Sequence, residues 1–579
     1  MRSFDGKELI QGLDEFVKST PGLLRRTAAT SQFADKLEAI DISEESPFTL
    51  AVVGKMRSGK STLINTLIGD HSVAKVGTTE TTATVNWIRH GDEETCKSFN
   101  VHWQGVPGTM EALPRGEDQK WVGDSELCGR TRFLEFFSQA DFLRHINIID
   151  TPGTQSVIEQ HETTIQEFIS AKKKCDDETM YYGGVADCLV YVLPPIAKAH
   201  DSELLERFGQ DTRIPGASAY NSIGVLNRWE AVLTTERPWD DVYQKAQRMK
   251  LQLGRFVSDI LVVSGPLHCA YQKLGSQFWE DINRFVVEMS DSALTWSLKN
   301  QEKRFLYEDN ADCAWAKEER AALYADAGNA VGFVKQFPWQ SFAVLLKFAK
   351  AKRFHTGEEL RIAIGKLAGV DALLTVLERR FFERSRAIRA TSRLQKILLP
   401  CNEAIQKLRE AKLDGKKRIK LALDAQNEVA PIRKEMAATR TLIKETQQLE
   451  NSRSAFLDDL QKNIENSTQL IRERFLSFDN DMKAMTLLDS CSQYFTEEEQ
   501  LEILRILGAY GVTSEDRFAF SKSSDQVKKQ MLGERHAVWV AKCEQCVGIR
   551  QQILEQVIAR LEEAINFISA DNQQVCLDI

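Results

Sequence analysis

The sequence lacks the two features that would take a chain into or across a membrane. Its first twenty residues, MRSFDGKELIQGLDEFVKST, contain no apolar stretch of the kind found in signal peptides. No run of about 18 apolar residues occurs anywhere, so no membrane-spanning helix is predicted. We therefore expect a cytoplasmic protein, and we expect any membrane association to be peripheral.

The cysteines lack the spacing of a disulfide framework. There are 11 of them, an odd number scattered along the chain, which is typical of a reducing compartment. Cys543 and Cys546 have the spacing of metal ligands, but no second pair or nearby histidine completes a site. We interpret them as two small core residues on one face of a long last helix, over residues 534–568.

An excess of basic residues is also missing. The sequence has 75 lysines and arginines against 83 aspartates and glutamates, and its formal net charge is -8. Proteins that bind nucleic acid through its phosphates have a basic balance. A basic stripe with interleaved aromatic residues does not occur either. We therefore predict no nucleic-acid partner.

Glycine and proline are scarce in the second half of the chain. Residues 371–507 contain one glycine and two prolines, and helix-forming residues dominate. Apolar residues recur there at helical spacing; they are Phe456, Leu460, Ile464, Ile471 and Phe475. We predict an elongated all-α helical bundle with coiled-coil character, a neck and trunk, over residues 271–579. A helical segment over residues 1–44 is predicted to pack with the neck.

The first half contains short apolar runs that alternate with polar, helix-forming segments. The runs include FTLAVVG, HINIID, DCLVYVLPP, SIGVLN and DILVVSG. Continuous apolar strands separated by helices indicate a mostly parallel sheet that is covered on both faces. We predict an α/β domain over residues 45–270, in which TATVNWIRHG (82–91) and NVHWQG (100–105) form an antiparallel edge hairpin.

The stretch VVGKMRSGKST, residues 52–62, has the spacing of a phosphate-binding loop after the first strand. Its glycines let backbone N–H groups approach phosphate oxygens closely. The Lys60 ammonium would reach the β- and γ-phosphates, and the Ser61 hydroxyl would bind Mg²⁺. The predicted nucleotide-binding residues of this stretch are Gly54, Ser58, Gly59, Lys60, Ser61 and Thr62. The domain is thus predicted to be a P-loop NTPase.

A second motif, HINIIDTPG, follows later in the chain. Its strand would deliver Asp150 to the phosphate end, where the carboxylate can hold Mg²⁺ through a water, and Gly153 would donate its N–H to the γ-phosphate. ATPases of the transporter kind would show a hydrophobic-Asp-Glu motif and a Ser-Gly-Gly-Gln stretch, and neither appears after the phosphate loop. The pattern favours GTP with Mg²⁺.

Between the two motifs lies KVGTTETTATVNW, where a GTPase needs a threonine that senses Mg²⁺ and the γ-phosphate. Thr82 is the predicted residue, and Thr81 and Thr79 are alternatives. Threonines before a strand are also common because they suit extended structure. The predicted metal ligands are thus Ser61, Thr82 and Asp150.

The predicted base-reading element is NRWE, at the end of the strand SIGVLN. GTPases usually have Asn/Thr-Lys-x-Asp here. The stem of Arg228 can cover the base, and the carboxylate of Glu230 can accept hydrogen bonds from guanine N1 and its exocyclic amine, donors that adenine lacks. Asn227 and Ser264, the latter in VVSG, complete the predicted set.

A GTPase domain with GKMRSGKS, TTETTATV, DTPG and NRWE, followed by a long helical stalk, resembles the dynamin-like superfamily, most of all its bacterial members. The motifs cover about residues 48–265, and the stalk matches by architecture alone. The resemblance implies GTP binding and hydrolysis, self-association through the GTPase heads and work on membrane lipid from the cytoplasmic side. It also implies partner dynamin-like proteins of the same system, and a bacterial context of toxin secretion or vesicle release.

The resemblance also gives a meaning to Arg57, inside the phosphate loop. Dynamins usually have serine at this position, whereas the guanylate-binding relatives have an arginine that acts as a finger when heads dimerise. Such a residue can raise the rate by about 10³ to 10⁵; the alternative is a solvated loop side chain. Lys60 and Thr82 are the other predicted catalytic residues. Because Thr154, not glutamine, follows DTPG, a GTP-gated interaction protein with little intrinsic hydrolysis is the alternative function.

A basic and apolar segment over residues 333–355 is the candidate for a membrane-binding tip. It has five basic residues and no acidic one, but its lysines do not separate cleanly from its apolar residues on a helical wheel. We therefore favour a partly buried trunk helix.

Overall fold

The computed structural model divides the chain into two compact units. Residues Pro47–Phe382 form one, the sheet unit, and Met1–Ser46 with Glu383–Ile579 form the other, the helical unit. The residues that the structure describes are 6–38, 48–54, 58–69, 84–103, 110–121, 124–144, 146–151, 186–193, 220–231, 235–254, 257–299, 301–328, 337–429, 435–511, 514–519 and 524–575.

The described strands of the sheet unit form one nine-stranded sheet. They are β1 (Phe48–Gly54), β2 (Asn86–His90), β3 (Ser98–Trp103), β4 (Met110–Pro114), β5 (Thr131–Ser138), β6 (Ile146–Asp150), β7 (Cys188–Leu193), β8 (Ser222–Asn227) and β9 (Ile260–Val263). Their order across the sheet is β4-β3-β5-β2-β6-β1-β7-β8-β9. From β6 to β9 all neighbours are parallel, and their apolar runs are buried on both faces. The predicted mostly parallel α/β fold is confirmed.

The predicted edge hairpin is wrong. β2 and β3 do not pair, because β5 lies between them, parallel to β2 and antiparallel to β3. β3 pairs on its other side with β4. The apolar side chains of β5 explain the insertion: Phe136 stacks on Phe99 of β3, with ring centroids 5.5 Å apart. A pairing between strands that are distant in the chain left no signal in the local pattern of β2 and β3.

The rest of the regular structure of the described residues consists of α-helices, several short 3₁₀ helices such as Trp229–Ala231, and a π-helix at Leu377–Phe382. The α-helices are α1 (Gly6–Leu24), α2 (Ala28–Glu38), α3 (Lys60–Ile68), α4 (Ser125–Arg130), α5 (Pro238–Leu253), α6 (Gly265–Lys273), α7 (Ser276–Glu288), α8 (Asp291–Lys299), α9 (Gln301–Tyr307), α10 (Lys317–Gly328), α11 (Trp339–Lys352), α12 (Gly357–Ala368), α13 (Val370–Val376), α14 (Ser385–Val429), α15 (Glu435–Cys491), α16 (Glu497–Ile506), α17 (Ser514–Phe518), α18 (Asp525–Cys543) and α19 (Ile549–Val575). No helix among these is long and apolar enough to cross a bilayer.

Helices α7 to α13 follow residue 270 yet belong to the sheet unit. Their apolar residues share one core with the strands; Phe342, Leu345 and Leu346 of α11 lie in the same buried cluster as Val262 of β9. The unit therefore ends at Phe382, beyond the predicted domain end at residue 270. Burying these helices against the sheet covers apolar faces that the sheet alone would leave exposed.

Helix α11 is the segment whose lysines do not separate from its apolar residues. It is buried over most of its surface, as a core helix of a larger domain is. Lys347 Nζ donates to the Thr235 carbonyl oxygen at 3.1 Å, and Lys350 Nζ donates to that of Val286 at 2.8 Å. Lys347 and Lys350 thus bond backbone carbonyls of the same unit.

The helical unit has its own core, to which α1, α2, α14 and α15 contribute. On α15 the buried residues are spaced by three, four and seven positions; they are Leu457, Leu460, Ile464, Ile471 and Phe478. The predicted stripe is displaced by one residue at its start, since Phe456 is exposed and Leu457 is buried. Helical periodicity was therefore a reliable signal, and its register was less so.

The predicted single helix over residues 534–568 is broken into α18 and α19. Gly548, with φ 69°, lies in the turn before α19, where left-handed backbone favours glycine. Cys543 and Cys546 lie at this turn, half-buried, and are not two core residues on one continuous helix face. Within the described part of the chain no cluster of three or more metal-ligating side chains occurs.

Candidate nucleotide-binding site

The phosphate loop needs glycine at both of its described ends. Gly54 has φ 156° and Gly59 has φ 89°, which side chains other than glycine adopt at a cost. A Cβ on Gly54 would lie 2.5 Å from the carbonyl oxygen of Val192, and one on Gly59 would lie 2.5 Å from Nδ2 of Asn227. Helix α3 begins directly afterwards at Lys60, so its first N–H groups face the loop, where a phosphate would be stabilised.

Lys60 lies inside the loop. Its side chain is buried, and Nζ donates to the carbonyl oxygen of Gly54 at 3.2 Å. Burial lowers the pKa of Lys60, and the nearby carboxylate of Asp150 opposes that shift. A buried ammonium at the start of a helix is placed to neutralise phosphate charge.

Asp150 ends β6 next to the start of α3. The Ser61 hydroxyl donates to Oδ2 of Asp150 at 3.0 Å, whereas Oδ1 is buried and has no hydrogen-bond partner among the residues that the structure describes. Burial raises the pKa of Asp150 to about 6, although Lys60 and the hydrogen bond from Ser61 lower it. Hydroxyl and carboxylate oxygens are ligands that Mg²⁺ prefers, and the unpartnered oxygen leaves coordination capacity. Ser61 and Asp150 therefore fit a bound Mg²⁺.

Asn227 ties the end of β8 to the phosphate loop. Its side chain is buried, and Nδ2 donates to the carbonyl oxygens of Gly59 at 3.1 Å and Ser58 at 3.4 Å. Arg228 follows with φ 58°, a rare conformation for a residue other than glycine, and its exposed side chain passes over Gly59. The carbon stem of Arg228 is thus held beside the loop, as a side chain that covers a base would be.

Glu230 is held by two serines. Its side chain is 4% exposed, and Oε1 accepts hydrogen bonds from Ser264 Oγ at 2.7 Å and Ser341 Oγ at 3.2 Å. Oε2 is buried and lacks a partner within the described ranges. Burial raises the pKa of Glu230, and the hydrogen bonds from the serines oppose the shift. Ser264 also caps α6 by accepting the N–H of Leu267.

The described candidates gather at the carboxyl ends of β1, β6, β8 and β9. The residues so placed are Gly54, Ser58, Gly59, Lys60, Ser61, Thr62, Asp150, Asn227, Arg228, Glu230 and Ser264. Ligands of open α/β sheets bind at this edge. The predicted Arg57, Thr82 and Gly153, and the alternatives Thr79 and Thr81, lie outside the described residues.

Two contributors to the base-reading side were missed in the sequence. Ser341 belongs to α11, and the carbonyl oxygen of Ala368, the last residue of α12, accepts the N–H of Ser264 at 2.9 Å. A buried serine within the apolar run of α11 was the one available signal for Ser341. A backbone carbonyl has no sequence signature at all.

Residues 50–175 match the model of the family described as "Dynamin family". The chain is similar to "Isoniazid-induced protein IniC" of Mycobacterium tuberculosis, 29% identical over 244 residues, which are 40% of this chain and 45% of that protein. It is also similar to "Probable transmembrane GTPase FZO-like, chloroplastic" of Arabidopsis thaliana, 25% identical over 202 residues, 34% of this chain and 18% of that protein. The chain thus spans less than half the length of these relatives.

The structural comparison is weaker than the sequence match. An oligomerised bacterial dynamin pair aligns with 100% of this chain and 93% of its own, at 12% identity and a TM-score of 0.32. At that score the structural likeness adds no argument. The family match over residues 50–175 includes the phosphate-loop sequence and Asp150, and over this range the chain is similar to the dynamin family.

Proposed function

We propose that this protein binds and hydrolyses GTP with Mg²⁺, and that pairing of its GTPase heads drives movement of the helical region in membrane remodelling or vesicle-associated secretion in bacteria. The observation that carries the nucleotide site is the junction of Ser61, Lys60 and Asp150 at the start of α3, with Oδ1 of Asp150 buried and unpartnered as far as the structure describes the chain. A buried acceptor without a partner costs free energy unless a ligand satisfies it.

Each described residue has a defined role in this proposal. The Lys60 ammonium binds phosphate oxygens, and Ser61 and Asp150 hold Mg²⁺, which when bound neutralises phosphate charge. Asn227 fixes the loop, Arg228 covers the base, and Glu230 accepts hydrogen bonds from guanine. Arg57, in the segment before α3, and Thr82, in the segment after α3, would complete the catalytic set.

The proposed partners follow from the family. They are GTP and GDP, a second copy of this chain bound through the GTPase head, other dynamin-like proteins of the same system, and membrane lipid bound peripherally from the cytoplasm. Support comes from the dynamin-family match and from the resemblance of the motifs.

A GTP-gated interaction protein with little intrinsic hydrolysis is the second candidate. The observation that favours it is Thr154, at the position where small GTPases have a glutamine that orients the attacking water. Such a protein would bind GTP in the same site and turn it over only in a complex with its partners.

The test is GTP turnover per enzyme over a roughly hundredfold range of enzyme concentration, because paired heads make specific activity rise with concentration by mass action. We expect Lys60→Ala to weaken GDP binding about 100-fold, the scale of lost charge-assisted hydrogen bonds. Arg57→Ala should still bind nucleotide and should abolish the rise. Lys120→Ala, at an exposed ion pair with Glu117, is the matched control and should change neither quantity.

Three outcomes separate the candidates. A rise that depends on Arg57 supports the enzyme with paired heads. Tight GTP binding with flat, negligible turnover in every variant supports the gated binder. If the unaltered protein binds no guanine nucleotide, or if Lys60→Ala binds as well as Lys120→Ala does, the nucleotide site itself is refuted.

A further inference from the structure

Ser341 reaches the proposed base-reading carboxylate from a helix outside the nucleotide-binding motifs. It lies in the third position of α11 and is 1% exposed, and its hydroxyl donates to Oε1 of Glu230 at 3.2 Å. Ser264 donates to the same oxygen at 2.7 Å. Both acceptor positions of Oε1 are therefore used by protein donors, and Oε2 is left without one in the described structure.

Helix α11 is fixed against the chain segment that carries Glu230. Lys347 Nζ donates to the carbonyl oxygen of Thr235 at 3.1 Å. One residue later, the ring of Phe348 meets that of Trp239 edge to face, with centroids 5.2 Å apart. Both contacts are made to residues that follow the short helical turn Trp229–Ala231: Thr235 precedes α5 and Trp239 lies in its first turn. They fix the position of α11, and therefore of Ser341, relative to this part of the chain.

The two serine hydroxyls oppose the effect of burial on the pKa of Glu230. Burial raises the pKa of Glu230, and the hydrogen bonds from Ser264 and Ser341 lower it, since they stabilise the charged form. A carboxylate with one oxygen held by two donors also loses its freedom to rotate. The remaining oxygen then has a defined direction.

We propose that Ser341 is a specificity-determining positioning residue: by holding Oε1 of Glu230 it directs Oε2 to the N1–H and exocyclic amine of guanine. This inference rests on the proposed function, because it assigns a role within the same site. It extends the base-reading element from one strand end to a helix more than a hundred residues later in the chain.

The experiment compares GDP with IDP, which lacks the exocyclic amine, by equilibrium binding to the full chain with Mg²⁺. The ratio of the two dissociation constants reports base reading, because both ligands share the same phosphates and sugar. We expect Ser341→Ala to reduce the preference for GDP by about threefold to tenfold, the scale of one hydrogen bond. Ser341→Cys, which nearly keeps the volume and supplies only a weak donor, should reduce it in the same direction.

Ser297→Ala is the matched control. Ser297 is also fully buried in a helix of the sheet unit, and its hydroxyl donates to the carbonyl oxygen of Leu294 at 2.8 Å, away from Glu230. It should lower the thermal midpoint as Ser341→Ala does and leave the ratio of dissociation constants unchanged. A merely structural role for Ser341 would therefore give the same ratio in both variants.

Glu230→Gln separates this inference from the function it rests on. If Glu230→Gln abolishes the preference and both Ser341 variants retain it, the role of Ser341 is refuted and base reading by Glu230 stands. If Glu230→Gln retains the preference as well, guanine is not read here and both assignments fail. A loss of preference in all three variants, with Ser297→Ala unaffected, supports the proposal.

Discussion

Three buried carboxylates, Asp481 of the helical unit and Asp150 and Glu230 of the sheet unit, differ in how their oxygens are partnered. In the helical unit, Oδ1 of Asp481 accepts from Arg560 Nε at 2.7 Å and Gln556 Nε2 at 2.9 Å, and Oδ2 accepts from Arg517 Nη1 at 3.0 Å. In the sheet unit, Asp150 and Glu230 each keep one buried oxygen with no partner in the described ranges.

The difference in pairing distinguishes a carboxylate that stabilises the fold from one that is available to a ligand. A buried carboxylate whose oxygens are all paired holds helices together, and Asp481 joins α15 to α17 and α19 in this way. A buried carboxylate with a free oxygen is a poor structural element, because the unpaired acceptor costs free energy. Such a group is retained where a ligand completes it, which is the role proposed for Asp150 and Glu230.

The largest effect is expected for Asp481→Asn, which tests the carboxylate whose oxygens are all paired. Removing this charge leaves Arg517 buried without a compensating carboxylate and leaves Arg560 with Glu563 as its carboxylate partner, so we expect a loss of about 3–5 kcal/mol in the free energy of unfolding of the helical unit. Denaturant unfolding followed by circular dichroism measures the loss. Asp459→Asn, at an exposed position on the same helix, should change the value by less than about 0.5 kcal/mol. Equal effects of the two substitutions would show that the paired Asp481 carboxylate does not stabilise the helical unit.

A smaller loss of stability is expected from substitutions of two glycines with left-handed backbone, Gly69 and Gly369. Gly369 and Gly69 both have φ 72°, but a Cβ on Gly369 would overlap the carbonyl oxygen of Val262, whereas no described atom lies within 4 Å of one on Gly69. Gly69→Ala should cost about 1 kcal/mol for the left-handed backbone alone. Gly369→Ala should cost about 2–3 kcal/mol, because overpacking is added.

The same pair tests whether α12 supports the base-reading side. Gly369 follows Ala368, whose carbonyl holds the N–H of Ser264, so Gly369→Ala should also weaken GDP binding. Thermal unfolding and GDP titration of both variants measure this. An unchanged GDP affinity in Gly369→Ala would show that α12 does not position Ser264.

The smallest predicted effect is a dependence on pH. Since burial raises the pKa of Asp150 to about 6, the carboxylate is ionised at pH 7.5 and mostly protonated at pH 5. Mg²⁺-dependent GDP affinity should therefore fall about tenfold over that interval. Stability responds in the opposite direction, because a carboxyl with a raised pKa in the folded state favours folding at low pH and loses that contribution as the pH rises through 6.

Phosphate groups of the nucleotide also titrate near this pH, so the control is Asp150→Asn. The GDP affinity of this variant is measured by titration with Mg²⁺ and with EDTA. Its pH dependence contains the titration of the nucleotide phosphates but not that of the Asp150 carboxyl. Identical pH profiles for the variant and the unaltered protein would show that Asp150 does not take part in Mg²⁺ binding.

The two ends of the candidate site were not equally predictable. The phosphate end is built from VVGKMRSGKST and HINIID, and parallel strands necessarily bring Lys60 and Asp150 to one edge of the sheet. At the base-reading end, local sequence predicted Asn227, Glu230 and Ser264, but it did not predict the contributions of Ser341 and of the Ala368 carbonyl, which come from later helices. It failed for the hairpin of β2 and β3, because β5 enters between them from later in the chain.

The sequence by itself determined seven of the nine described strands, the phosphate-loop motif and the helical periodicity, since each depends on residues that are neighbours in the chain; β4 and β5 were not predicted. The tertiary structure alone decided that α11 belongs to the sheet unit, that Ser341 meets Glu230, and that burial raises the pKa of Asp150 to about 6. The physical reason is that burial and hydrogen bonding between distant segments depend on how the whole unit packs, and local patterns carry no record of that packing.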